Sequence, residues 1–112
     1  MITTFDVVHD AADPRGLLRA IRQGLKSDGT YLCLEVNCAD SVEKNLNPLG
    51  ALFYGCSVLL CTTVSLADGG AGLGTLGLHE VKLRELAKEV GFHGVRRVPL
   101  ENAFNTLYEL TP

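Results

Sequence analysis

An excess of positive charge is the first thing this chain lacks. Ten Lys and Arg stand against thirteen Asp and Glu, a formal net charge of −3. That leaves no electrostatic footprint for nucleic acid or an anionic membrane, and neither is expected as a partner. Arg15, Arg19, Arg22 and Lys26 recur at helical spacing, which predicts a solvated helix face rather than a phosphate track. Paired cysteine spacing is missing too. Cys33, Cys38, Cys56 and Cys61 form no C-x-x-C and all sit in apolar segments. They are expected to be small buried hydrophobes, with neither a disulfide nor a metal site. No basic-then-apolar leader pattern marks the stretch from Met1 to Phe5, so a cytoplasmic location is expected.

What is present suits one small α/β domain over residues 1–112. The run from Ile2 to Val8 is β-favouring and predicts a strand. Asp13-Pro14 then offers an N-cap followed by proline at the first helical position, and Leu17, Leu18, Ile21 and Leu25 make an apolar stripe. Ser27-Asp28-Gly29 is a turn signal. Thr30 to Val36 is nearly continuous apolar sequence, as in a strand covered on both faces. Strand, helix and strand in so short a span predict a right-handed parallel unit.

Charge is absent from Asn45 to Ala67, a length that nominally suffices to cross a bilayer. Pro48, Gly50, Gly55, Ser57 and the Thr62-Thr63 pair interrupt it, and basic or aromatic flanks are missing. The expectation is a helix buried against the domain or capping a pocket, with residues 45–77 forming a helical cap plus a glycine-rich loop. Val81, Leu83, Leu86, Ala87 and Val90 predict a further helix, closed by Gly91. Val95 to Leu100 and Phe104 to Leu110 predict an antiparallel hairpin. The order is β-α-β-α-loop-α-β-β.

This order, with its local sequences, resembles the second half of the class I S-adenosylmethionine-dependent methyltransferase fold. Thr4-Phe5-Asp6-Val7-Val8-His9-Asp10 looks like the end of that family's fourth strand. Ser27-Asp28-Gly29 stands where the family has a proline-glycine-glycine turn into the fifth, a departure. Glu35 falls where such strands often end in an acidic residue, and Leu83 to Phe92 is similar to the family's leucine…alanine-glycine-phenylalanine helix end. The resemblance implies the C-terminal half of a Rossmann-like sheet, mostly parallel with a terminal antiparallel hairpin and flanked by helices. In space its strands would run fourth, fifth, seventh, sixth.

His9-Asp10 followed by Asp13 is similar to the His-Asp-x-x-Asp of small-molecule O-methyltransferases, whose histidine is the general base. The chemistry suits an imidazole: a hydroxyl nucleophile improves as it loses its proton, and a group of pKa near ~6.5 takes one near neutral pH. The resemblance therefore makes His9 the catalytic residue, with Asp10 a substrate contact. The plainer reading keeps His9 as a strand-end polar residue and Asp10 or Asp13 as a cap. Phe53 and Tyr54, in the uncharged segment, are expected to line the pocket of a small, partly apolar acceptor.

In this family the glycine turn and acidic residue that hold S-adenosylmethionine lie on the first two strands. The chain is thus expected to be a fragment without cofactor binding or activity of its own. An orphaned Ile2 to Val8 edge strand, with no lysine or proline to blunt it, predicts a homo-oligomer. Two other functions stay open. Gly72-Leu73-Gly74-Thr75-Leu76-Gly77 spells a G-x-G-x-x-G before a helix, the pattern of a nucleotide-cofactor site. A stand-alone α/β module that binds a partner or itself is the other.

Overall fold

The computed structural model describes all 112 residues. β1 (Ile2–Phe5) and β2 (Tyr31–Val36) pair in parallel, joined by α1 (Pro14–Gly24). A 3₁₀ turn (Glu43–Asn45) leads into a continuous twenty-residue helix, Pro48–Ala67. Its parts are α2 (Pro48–Cys56), a π-helical turn (Ser57–Cys61) and α3 (Thr62–Ala67). After the glycine-rich loop come α4 (Glu80–Glu89), β3 (Gly94–Val98) and β4 (Asn105–Thr111). The sheet order is β1-β2-β4-β3, in agreement with the spatial order the resemblance implies.

The sheet is not mostly parallel, as expected, but mostly antiparallel. β4 returns between β2 and β3 and runs against both, so β1·β2 is its one parallel pair. The first strand is also shorter than Ile2 to Val8. Asp6 turns into the left-handed region, φ 50°, which aspartate tolerates better than most residues. This breaks the ladder and swings Val8 inward, where it is fully buried.

Local chemistry explains the elements. Asp13 caps α1, its Oδ1 accepting from the Gly16 N–H at 2.8 Å, with Pro14 at the first position. Leu18, Ile21 and Leu25 of the α1 region and Leu83, Leu86 and Ala87 of α4 pack together on one face of the sheet. They meet Tyr31 and Cys33 of β2 and Tyr108 and Leu110 of β4. Tyr31 stacks at a tilt on Phe92, ring centroids 6.0 Å apart, directly after Gly91 ends α4 at φ 92°. The Asn102 side chain closes the hairpin by accepting from the Phe104 and Asn105 N–H groups.

The other sheet face carries no such cover. Phe5, Leu34, Leu107 and Val98 are paired neighbours in register and form one apolar row across all four strands. Phe5 is 63% exposed and the other three are half-buried.

Of the two expectations for the Pro48–Ala67 helix, burial against the domain does not hold, because only 22% of its apolar window is buried. By length and composition alone it could cross a membrane. Its polarity is inverted. The buried residues are Gly50, Phe53, Ser57, Cys61 and Ser65, while Leu52, Val58, Leu59, Leu60, Val64 and Leu66 face outward. The cause is the glycine-rich loop beneath it. A Cβ on Gly74 would lie 2.2 Å from both Ser57 Oγ and Thr62 Oγ1, so loop and helix approach at a distance only small polar residues allow. Cys56, expected to be buried, is exposed on this helix, and all four cysteines are free thiols.

Candidate active site at the end of the parallel pair

β1 and β2 end side by side, and the chain after β1 folds back over that end. Val8 N–H donates to Glu35 Oε1 at 2.8 Å, which pins the turn to the last residues of β2. The other carboxylate oxygen of Glu35 lies 2.6 Å from His9 Nδ1. A carboxylate only accepts, so Nδ1 carries the proton and Nε2 is left as the outward nitrogen. His9 is 4% exposed and Glu35 1%. Burial draws the imidazole pKa down, but the Glu35 hydrogen bond and charge, with Asp10 and Asp6 beyond, outweigh it and raise it above the ordinary value.

Nε2 faces Asp10, whose Oδ1 is 3.3 Å away. Cys61, from the π-turn, completes this side: its sulfur and the His9 and Asp10 ligand atoms all lie within 4.8 Å of one another. The Thr75 hydroxyl donates to Cys61 Sγ at 3.1 Å. Burial and the neighbouring Asp10 carboxylate push the thiol pKa up. Asp6 stands on the opposite flank, held by Asn105 Nδ2, which donates to both of its oxygens at 2.8 and 3.0 Å.

The structure thus brings His9 and Asp10 together and adds Glu35 and Cys61, which residue patterns had not placed in the site. Glu35 did carry a signal, being the one charge in an otherwise apolar strand. Cys61 carried none; only the fold of the helix brings it to His9. Phe53 and Tyr54 lie elsewhere. Phe53 packs on Val36 and Leu76, meets Phe104 edge to face at 6.4 Å and lines a cavity of about 360 Å³ with Asn37, Lys44 and Arg97. Tyr54 borders a second cavity of about 320 Å³ with Ser57 and His79. His9 lines neither.

The Gly72 to Gly77 loop follows a helix rather than a strand, and three of its six backbone amides are turned inward. Gly72 N–H donates to Ser65 Oγ at 3.0 Å, Thr75 N–H to Ser57 Oγ at 3.2 Å and Gly77 N–H to the Gly74 carbonyl at 3.0 Å. A phosphate cradle requires its amides to be free, and these three are already satisfied. A scan against models of known protein families finds no match, and a search of the curated proteins finds none either.

Proposed function

We propose that this chain carries the proton-abstracting half of a class I, S-adenosylmethionine-dependent methyltransferase domain that acts on a hydroxyl of a small, partly apolar acceptor. The observation that carries the reading is the buried Glu35–His9 pair at the carboxyl ends of β1 and β2, where parallel strands place their ligands. The sheet order β1-β2-β4-β3 supports it. Glu35 holds His9 in the tautomer whose Nε2 takes a proton from a hydroxyl, and its carboxylate offsets the imidazolium charge that results. Asp10, half-exposed beside Nε2, orients the acceptor. In the family the cofactor contacts lie on strands other than those these four resemble, and on this reading S-adenosylmethionine should bind the chain by itself at millimolar affinity or weaker, about −4 kcal/mol.

Two measurements test this. Nitrogen-15 spectra of the chain should show His9 with its proton on Nδ1. In the domain completed by its cofactor-binding strands, His9→Gln should lower turnover on a hydroxyl acceptor about 10²- to 10⁴-fold, with S-adenosylmethionine affinity unchanged. A loss below tenfold would assign the base elsewhere.

A second reading, a self-assembling α/β module, draws on a different observation: the outward leucines and valines of Pro48–Ala67 and the open edge of β1. It is compatible with the first, since a half-domain with bare apolar surface also has reason to associate.

A further inference from the structure

We propose that His9 Nε2, Asp10 and Cys61 form a binding site for a zinc-class divalent metal ion, with Glu35 as the outer carboxylate that orients the histidine. The inference stands on ligand geometry and does not depend on methyl transfer.

Three features support it. Nitrogen, carboxylate oxygen and thiolate sulfur together are the donor set of a borderline-soft ion such as Zn²⁺. Bonds of about 2.0 Å to nitrogen and oxygen at a tetrahedral angle place those two atoms about 3.3 Å apart, and His9 Nε2 and Asp10 Oδ1 are 3.3 Å apart. Sulfur, with bonds of about 2.3 Å, belongs about 3.5 Å from each. With all three atoms already within 4.8 Å, Cys61 Sγ needs to close by little more than about 1 Å, a rotation of one short side chain. Finally, metal-bound histidines donate their second nitrogen to a carboxylate, and Glu35 Oε2 already accepts from Nδ1 at 2.6 Å.

The environment is that of a metal pocket open at one corner. His9 and Cys61 are 4% and 7% exposed, while the half-exposed Asp10 side chain marks the way in. Three protein ligands leave a fourth position for water or a small donor. Binding breaks the Cys61 S–H bond and displaces any proton on His9 Nε2, both protons passing to buffer, so the affinity rises with pH. The metal and the proposed base claim the same nitrogen, so the metal-loaded chain has no free base at His9.

The test is a titration of the chelator-treated chain with Co²⁺, read by absorbance, followed by displacement with Zn²⁺. One equivalent should produce intense tetrahedral d–d bands and a thiolate-to-cobalt charge-transfer band, both lost on adding Zn²⁺. Cys61→Ser should abolish the charge-transfer band, whereas Cys56→Ser leaves it intact. Asp10→Asn changes an exposed side chain and leaves folding undisturbed; it should weaken affinity at least tenfold. Glu35→Gln should weaken it about 10- to 100-fold, the usual cost of losing an outer partner. Pale octahedral cobalt without charge transfer in the folded wild-type chain would overturn the proposal. So would a band that survives Cys61→Ser. Neither outcome bears on His9 as a base, which the tautomer and turnover measurements decide separately.

Discussion

Cys33 shows at the scale of one residue how burial becomes a solution property. Its side chain is fully buried, and burial, followed by the charge of Glu35, pushes the thiol up to about 12 from 9.0. A group with a raised folded pKa contributes stability that is intact below its unfolded value and is lost as pH climbs toward the folded one. The chain should therefore lose stability from about pH 9 upward at roughly 1.4 kcal/mol per pH unit for this thiol. Tyr31 adds to the loss in the same direction, because burial raises its phenol as well. Urea titrations between pH 8 and 11 measure the slope, and Cys33→Ala should reduce it. An unchanged slope in that variant would place the titrating group elsewhere. Cys56 makes the contrast: exposed on the helix, it should react first with an alkylating reagent in the native state.

Among the elements, the helix Pro48–Ala67 and the loop beneath it depend on one another through Gly74. That glycine has φ 72° and no room for a Cβ against Ser57 and Thr62. Gly74→Ala should cost about 1–3 kcal/mol from the left-handed backbone alone, more if the helix must lift. Urea unfolding gives the total, and hydrogen exchange across Pro48–Ala67 shows whether the helix has lifted. A loss below about 0.5 kcal/mol would mean that the loop simply moves aside. This is also where residue patterns failed. Asp13-Pro14, the turn at Ser27 to Gly29, the Gly91 stop and the final hairpin were legible, since each rests on a local preference of the backbone. The inverted helix was not. Its leucines called for burial, whereas its facing was decided by how closely a distant loop approaches Ser57, Cys61 and Ser65. The site divides along the same line. His9 and Asp10 are adjacent in sequence and could be read, while Glu35 and Cys61 join them through contacts 26 and more residues distant. Phe53 and Tyr54 each line a cavity, but composition does not reveal that the two turn toward different ones.

The whole molecule is a sheet with helices packed on one face, an open edge at β1 and an apolar row on the bare side. The Ile2 and Asp6 N–H groups donate to β2, so by the two-residue alternation of a strand those of Thr3 and Phe5 point away from the sheet. They are free to pair with a second copy, antiparallel across a two-fold axis. Homo-oligomers are the expected state, and Thr3→Pro should shift them toward monomer by removing one outward donor without touching the β1–β2 ladder. Sedimentation across a concentration series measures this; a wild-type chain that stays monomeric and folded when concentrated would refute pairing through β1. The row of Phe5, Leu34, Leu107 and Val98 has a calorimetric consequence as well. Heat capacity rises on unfolding because apolar groups newly meet water, and groups already wet in the native state add nothing. A 112-residue protein ordinarily shows an increment of about 1.3–1.7 kcal/mol/K. This one, dilute and monomeric, should fall below that range, and its stability curve should be correspondingly flat. Any association that covers the row should bring the increment back up.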